Sequence, residues 1–290
     1  MNIGITEMHS ILGKNSVDVK SLTNNVEYQQ TMKKNGLQSV CTDNECLIHS
    51  LIDNIISQFV SKPDLIILAH SLPYLLGSTN WNTYKRNIPV INMSGIPCCI
   101  LHQAIDSAVK YIESGHYQHV LVIGADKCYI DYERLFFGTA MSDCVIGLMV
   151  ENNAKRNIIR GTKVNTFIIA SNGVYSSPES TAKFRAGNPT FVRNVLLDCL
   201  KEQNYSLNDL DYIVCHTSNR GIWDQVSQLS RYPREKFLDS NIIKTGHMNS
   251  NDSFYHYFDF VDRGILKEGQ LAALINPGFG GSQGCTLLMP

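Results

Sequence analysis

Runs of apolar residues divide the chain into short strands separated by helical stretches. Residues 64–70, 120–126 and 144–150 each contain a continuous apolar run of strand length, which is typical of a sheet covered on both faces. Between residues 44 and 60, apolar positions recur at helical spacing and predict an amphipathic helix. They are Leu47, Ile48, Leu51, Ile52, Ile55, Ile56 and Phe59. Strands that alternate with helices predict an α/β architecture.

Weaker patterns fill the space between these elements. Ile3 and Ile5 indicate a short opening strand, and residues 88–92 indicate another. Residues 72–87 between the longer runs predict a loop. The short strand at residues 88–92 leads directly into the stretch that contains the candidate reactive cysteine, Cys98.

That stretch predicts a helix that begins with a cysteine in its first turn. Pro97 favours a helix start because its fixed φ suits the first turn. Gly115 suits the helix end, after apolar residues at helical spacing. Cys98 would then lie where unpaired N–H groups and the helix dipole favour a thiolate. The alternative is a core cysteine, because an apolar Cys-Cys-Ile-Leu run is usually buried packing.

The second half of the chain repeats the strand pattern of the first, in the same order. The matched pairs are residues 64–71 with 211–218, 120–124 with 271–275, and 142–150 with 282–290. This order predicts an internal duplication. Residues 1–151 would form an N-terminal half and residues 152–290 a C-terminal half, with the junction at residues 152–160.

Composition narrows the class of protein. Of 290 residues, 43% are hydrophobic and 18% are charged, which suits a globular protein with a large core. The net charge of −1, with no long basic block, predicts neither nucleic acid nor an anionic membrane as a partner. No stretch predicts a membrane span or a signal peptide. Nine cysteines without zinc-type spacing favour reduced thiols, a cytoplasmic location and no metal site.

Four stretches resemble a known family in order and spacing. They are Cys98 with its helix and the strand at residues 120–126; His-Thr-Ser-Asn at residues 216–219; Lys-Thr-Gly-His-Met at residues 244–248 with the segment 264–269; and Gly-Phe-Gly-Gly-Ser at residues 278–282. On these residues the chain resembles the thiolase-like superfamily, in particular the ketoacyl-ACP synthase III branch, over about residues 36–290. Spacing from Gly115 assigns the family's nucleophile to Cys98, and Cys99 falls where the family has a small residue.

The resemblance implies a fold and an assembly. The fold would have five layers, α/β/α/β/α, built from two duplicated halves, with the Cys98 helix buried between two mixed sheets. The chain would form a homodimer, or a heterodimer with a homologous chain. In relatives the strand before the nucleophile pairs across the twofold axis, so the strand at residues 120–124 and its neighbour at 88–92 are expected at the interface.

The resemblance also implies an acyltransferase of the 3-oxoacyl synthase kind. Cys98 would accept an acyl group from a CoA or acyl-carrier-protein thioester, with no permanently bound cofactor. His216 and His247 would bind a second, malonyl-type thioester. The oxyanion would be stabilised by the Cys98 N–H and the glycine loop, which comprises Gly278, Phe279, Gly280 and Gly281. Asn219 would have a second-shell or structural role.

Departures from the family leave alternatives open. Most proteins of this branch have asparagine where this chain has His247, and residues 142–147 keep Asp143 but lose the family's glycines. The chain is also shorter than most relatives. These changes favour a divergent enzyme of specialised or fatty-acid-type biosynthesis. The alternatives are acyl transfer to nitrogen or oxygen, and a non-catalytic partner of an active paralogue.

Overall fold

The computed structural model of the chain describes residues 2–71, 87–136, 138–167, 169, 172 and 175–290. Its α-helices are α1 (Val26–Lys34), α2 (Ile48–Gln58), α3 (Ile100–Glu113), α4 (Pro178–Glu202), α5 (Gly221–Ser230), α6 (Ile242–Thr245) and α7 (Asp252–Asp262). Its strands are β1 (Gly4–Leu12), β2 (Asn15–Asp18), β3 (Ser39–Thr42), β4 (Leu65–Ala69), β5 (Val90–Met93), β6 (His119–Asp126), β7 (Leu135–Phe136), β8 (Thr139–Ala140), β9 (Cys144–Glu151), β10 (Ile158–Thr166), β11 (Tyr212–Cys215), β12 (Phe237–Leu238), β13 (Ala272–Pro277) and β14 (Ser282–Met289). The predicted loop at residues 72–87 lies, except for residue 87, outside the described residues.

Within the described residues, the main sheet has ten strands in the order β12-β11-β13-β14-β10-β1-β9-β6-β4-β5. A single register pair, Gly4 with Ile158, joins β1 to β10. The sheet therefore divides into two five-stranded runs. Strand β4 lies parallel between β5 and β6, and β11 lies parallel between β12 and β13. The two runs thus share one strand order and one set of strand directions.

The three segment pairs matched in the sequence occupy equivalent positions in these runs: β4 with β11, β6 with β13, and β9 with β14. The division of the chain at residue 151 stays a prediction. Strand β10 (Ile158–Thr166) begins inside the predicted junction, and the opening strand extends to Leu12, well beyond Ile5.

The helices form three layers around the two runs. Between the runs, α3 and α7 share one core with the inner faces of both, for example Leu101 and Phe254. Helix α2 covers the outer face of the N-terminal run, and α4 and α5 cover the outer face of the C-terminal run. Alternate residues of β4 belong to the inner and the outer core, which explains its continuous apolar run. The predicted five-layer α/β fold is confirmed.

Two sequence predictions are wrong in detail. Helix α3 begins at Ile100, with Cys99 as its N-cap, so Cys98 lies before the first turn rather than in it. Strand β4 separates β5 from β6, so residues 120–124 are not a neighbour of residues 88–92 and do not lie at the sheet edge. Among the described residues, none of the helices has the length and apolarity needed to cross a membrane.

Candidate active site

Cys98 lies in the turn between β5 and α3, in a conformation that non-glycine residues rarely adopt. Its φ is 61°, and a left-handed residue with a side chain costs about 1–2 kcal/mol. Two contacts hold this conformation. The Asn276 amide donates to the Cys98 carbonyl at 2.8 Å and to the Ser250 carbonyl at 3.0 Å. The Cys98 N–H donates to the Ser71 hydroxyl at 3.3 Å.

The two adjacent cysteines have different environments. Cys98 lines a cavity with a volume of about 910 Å³. Cys99 is fully buried, and its thiol donates to the Asn276 carbonyl at 3.0 Å. Burial raises the pKa of Cys99 far above its usual range. Of the two thiols, only that of Cys98 lies at the cavity.

His247 is held beside Cys98 by its backbone and by a carboxylate. Its N–H donates to the Ala140 carbonyl at 3.1 Å, and its carbonyl accepts from the Ser142 N–H at 2.7 Å. Its Nε2 lies 3.8 Å from Cys98 Sγ, and its Nδ1 lies 2.8 Å from Asp252 Oδ2. Residues 140–142 therefore position this histidine, next to the segment in which the chain departs from the family pattern.

Asp252 is the functional residue that the sequence reasoning missed. It begins α7, is completely buried, and accepts hydrogen bonds from the N–H groups of Thr217 at 2.9 Å and Met248 at 2.6 Å. A signal was present, because Asp252 is the only acidic residue between residues 240 and 258. Cys98, His247 and Asp252 form a Cys–His–Asp relay, in which the carboxylate orients the imidazole toward the thiol.

His216 follows β11 and lies beside Asp252 and His247. Its carbonyl accepts from the Trp223 indole N–H at 3.1 Å, and its Nδ1 lies 2.9 Å from the Ser218 hydroxyl. Its Nε2 lies 3.5 Å from Asp252 Oδ2, without hydrogen-bond geometry. The rings of His216 and His247 have centroids 4.5 Å apart. The structure thus brings Cys98, His216 and His247 together, as the sequence predicted.

Burial and charge give the two histidines different protonation states. Burial lowers the pKa of His216 to about 3, so this ring is neutral at neutral pH. Burial also acts to lower the pKa of His247, but the charge and the hydrogen bond of Asp252 raise it to about 10. The Asp252 pKa is lowered despite burial, because His247 and His216 lie beside it. Burial raises the Cys98 pKa, and His247 opposes that effect. His247 is therefore the cationic partner of the thiol.

The glycine loop at residues 278–281 packs directly against the turn that carries Cys98. A side chain on Gly278 would place its Cβ 2.3 Å from the Pro97 carbonyl oxygen. The Gly278 N–H donates to the Ser282 carbonyl at 2.7 Å. This hydrogen bond occupies the Gly278 N–H. Gly280 and Gly281 have φ values of 94° and 103°, which only glycine adopts without strain.

Aromatic and charged residues line the rest of the cavity. The Phe279 ring makes edge contacts with Phe136 and Phe184, with centroids 5.3 and 5.5 Å apart. Charges of both signs line the wall, namely Lys34, Arg185, Glu27 and Asp224. Asn219 also lines the cavity, where its side chain accepts from the Gly221 N–H at 2.8 Å. Asn219 thus supports the start of α5, which is a structural role.

Comparisons with known proteins agree with this fold. The family model described as "3-Oxoacyl-[acyl-carrier-protein (ACP)] synthase III C terminal" matches residues 200–289. The beta-ketoacyl-[acyl-carrier-protein] synthase III of Lactococcus lactis is 24% identical over 281 residues, which cover 88% of this chain and 86% of that protein. The Streptococcus uberis protein of the same name is 27% identical over 198 residues, which cover 61% of this chain and 60% of that protein. The structure of 3-oxoacyl-[acyl-carrier-protein] synthase III from Aquifex aeolicus matches 99% of this chain and 100% of that chain, with a TM-score of 0.81 and 18% identity.

Proposed function

We propose that the chain is a thiolase-like condensing enzyme similar to ketoacyl synthase III, which loads an acyl group onto Cys98 and condenses it with a malonyl-type thioester. The single observation that carries this proposal is the convergence of Cys98, a His247 held cationic by Asp252, and a neutral His216 at the end of one cavity. The acyl donor would be a CoA or acyl-carrier-protein thioester.

In the acylation step, the Cys98 thiolate attacks the acyl carbonyl carbon and the bond from that carbon to the carrier sulfur breaks. The His247 imidazolium stabilises the thiolate and protonates the departing carrier thiolate. The carbonyl oxygen would replace the Ser71 hydroxyl as the acceptor for the Cys98 N–H, which now donates across 3.3 Å. The second oxyanion donor then belongs to residues 279–280, because the N–H groups of Gly278 and Gly281 already donate to the Ser282 and Gly278 carbonyls.

In the condensation step, the bond from the malonyl carbon to its carboxylate breaks and releases carbon dioxide. The electron pair forms the new carbon–carbon bond to the acyl carbon, and Cys98 leaves as a thiolate. Both histidines would donate from Nε2 to the enolate oxygen. Ser218 can donate to His216 Nδ1, which places the proton of neutral His216 on Nε2. His247 gives its Nδ1–H to Asp252, so it holds an Nε2–H only as imidazolium, the form that its raised pKa favours.

One set of acyl-enzyme measurements tests the proposal. Intact-mass spectrometry after mixing with acyl-CoA should show one acyl adduct on the wild type. Cys98→Ala should abolish the adduct, and Cys99→Ala should retain it, because its thiol contacts a buried carbonyl away from the cavity. Adding malonyl-CoA should then discharge the adduct with release of carbon dioxide. An adduct that persists in Cys98→Ala and is lost in Cys99→Ala would move the nucleophile by one residue.

The Cys98–His247–Asp252 relay also supports a second candidate, acyl transfer to an amine or hydroxyl. A histidine oriented by a carboxylate is the arrangement that deprotonates such acceptors in covalent acyl transfer. Carbon dioxide release separates the two: discharge of the adduct by an amine without release of carbon dioxide would favour the second candidate. The absence of any adduct on the wild type would instead favour a non-catalytic partner subunit.

We also propose a cytoplasmic location and a dimeric assembly. A cytoplasmic location is supported by nine cysteines that are all free thiols. A homodimer, or a heterodimer with a homologous chain, is supported by the position of β5 at the end of the main sheet. The choice between CoA and acyl carrier protein as the carrier belongs to the same proposal, since both present the acyl group as a thioester.

A further inference from the structure

Three donor atoms of metal-binding type converge at the end of the cavity. One ligand atom each from Cys98, His216 and His247 lies within 4.8 Å of the other two, and all three residues are buried. The Nε2 of His216 has no hydrogen-bond partner among the described residues. A thiolate with two imidazoles is a donor set that Zn²⁺ prefers, with one coordination position left open. We propose that Cys98, His216 and His247 form a Zn²⁺ site that reversibly blocks the nucleophile.

The surroundings already orient both imidazoles for coordination through Nε2. Ligating histidines normally donate their other ring N–H to a carboxylate or another acceptor. His247 Nδ1 lies 2.8 Å from Asp252 Oδ2, and His216 Nδ1 lies 2.9 Å from the Ser218 hydroxyl. His247 keeps its Nδ1–H on Asp252. His216 would move its proton from Nε2 to Nδ1 and donate it to the Ser218 hydroxyl, so that Nε2 of both rings binds the ion.

A tetrahedral ion requires the three donor atoms to move closer together, and the charges of the site already balance it. With Zn–S and Zn–N bonds of about 2.3 and 2.0 Å, neighbouring donor atoms of a tetrahedron lie about 3.3–3.6 Å apart. The sulfur of Cys98 and the Nε2 of His247 lie 3.8 Å apart, so this pair needs a shift of a few tenths of an ångström. The three donor atoms lie within 4.8 Å of one another, so the widest pair must approach by about an ångström. The Cys98 thiolate and the Asp252 carboxylate together balance the two positive charges of the ion, which a buried site requires.

Binding would consume the nucleophile. The Cys98 sulfur would donate its electron pair to the metal instead of an acyl carbon, and the protons on the thiol and on His247 Nε2 would pass to solvent. Binding should therefore tighten as pH rises and compete with acylation. The ligands lie far apart along the sequence, which is why zinc-type spacing predicted no site. The site uses residues of the proposed catalytic set, but metal binding is measured without any acyl substrate, so either proposal can fail alone.

The test is titration of the purified, metal-free chain with Co²⁺ as a spectroscopic probe, followed by displacement with Zn²⁺. The wild type should bind one Co²⁺ with a thiolate-to-cobalt charge-transfer band and a four-coordinate spectrum. Cys98→Ser should lose the charge-transfer band, and Cys99→Ala, the matched control, should keep it. His247→Asn and His216→Asn should each weaken binding more than Asp252→Asn, for which loss of an orienting partner costs about 10–100-fold.

A second measurement guards against variants that fold poorly. In the wild type, Zn²⁺ should protect Cys98 from iodoacetamide, with protection reversed by EDTA, as read by mass spectrometry of the Cys98 peptide. Alkylation of the partly exposed Cys41 and Cys46 in the same sample is the internal control. Unchanged alkylation of Cys98 in Zn²⁺, or a charge-transfer band that survives in Cys98→Ser, would overturn the proposal.

Discussion

At the scale of single residues, Asn276 holds the backbone of Cys98 and Asp252 holds the charge of His247. Asn276 is completely buried and donates to the carbonyl of Cys98, the residue with a φ of 61°. Asp252 sets the charge of His247 and, through it, the reactivity of the thiol. Neither residue is among those that line the cavity. Both act by fixing the geometry or the charge of a residue that does.

Replacing Asn276 with alanine should slow acylation by about ten- to a hundredfold. Losing this buried hydrogen bond costs about 1–3 kcal/mol and allows the turn that carries Cys98 to relax. The acylation rate per folded molecule is followed by intact mass, with folding monitored by circular dichroism. The control is Asn157→Ala, which removes another buried amide that bonds the Ile5 carbonyl and Tyr257. Equal rates in the two variants would show that Asn276 serves only stability.

Replacing Asp252 with asparagine should shift the pH dependence of Cys98 alkylation upward. The carboxylate raises the His247 pKa to about 10. Without it, burial dominates and lowers that pKa, so His247 loses its charge as pH rises through a lower value. The Cys98 thiolate then lacks its cationic partner, and its pKa rises further. Iodoacetamide rates between pH 6 and 10 should fall most near neutrality. Asp259→Asn, also on α7, should match the wild type; a wild-type profile in Asp252→Asn contradicts the relay.

At the scale of elements, the central helices α3 and α7 both begin at the active site. Cys98 comes two residues before α3, and Asp252 is the first residue of α7. The two helices are neighbours in one core between the strand runs. Their common placement follows from the equal strand order of the two runs. The site is therefore assembled from helix starts and strand ends rather than from one continuous motif.

The glycine loop makes this assembly sensitive to a single methyl group. In Gly278→Ala the new Cβ would lie 2.3 Å from the Pro97 carbonyl oxygen and 2.9 Å from Cys99 Sγ. Either the glycine loop or the turn that carries Cys98 must therefore move. We expect acylation to fall at least tenfold, with a stability loss of about 1–3 kcal/mol in urea unfolding. Gly115→Ala is the control, because its φ is 76° but no atom lies within 4 Å of the new Cβ. It should cost stability alone.

At the scale of the whole molecule, the two halves share one core. Residues of both strand runs and of α3 and α7 pack in the same cluster, so neither half buries its inner face alone. Phe254→Ala should therefore lower the free energy of unfolding of the whole chain by about 3–5 kcal/mol. Tryptophan fluorescence and far-ultraviolet circular dichroism should report one common urea transition. Two separate transitions would show that the halves unfold independently.

The outer edge of β5 is where a second chain would pair. Strand β5 is the last strand of the sheet. The carbonyls of Pro89 and Met93 point toward β4 and accept from the N–H groups of Ile66 and His70. Because successive backbone groups point to opposite sides of a strand, the N–H of Asn92 points away from β4 to the unpaired edge. We expect sedimentation of a dimer, weakened by Asn92→Pro and retained in Asn92→Ala. A monomer at micromolar concentration in the wild type would contradict the predicted dimer.

The sequence by itself determined most of the buried strands, helices α2 and α3, and the order of these elements. Apolar runs predicted β4, β6 and β9, because a strand buried on both faces must be apolar at every position, and the repeated segments predicted the duplication. The resemblance assigned Cys98, His216 and His247. Those signals are local, since burial and periodicity are recorded within a few residues.

Only the tertiary structure decided how the distant parts meet. It placed Cys98 before its helix in a left-handed turn and brought Asn276 and Asp252 to the site. It also occupied the Gly278 N–H with a hydrogen bond and placed β6 away from the sheet edge. A local pattern does not encode these contacts, because the distance between two side chains far apart in the chain depends on how all the intervening elements pack. The pKa values of His216 and His247 differ for the same reason: burial and a single carboxylate set them.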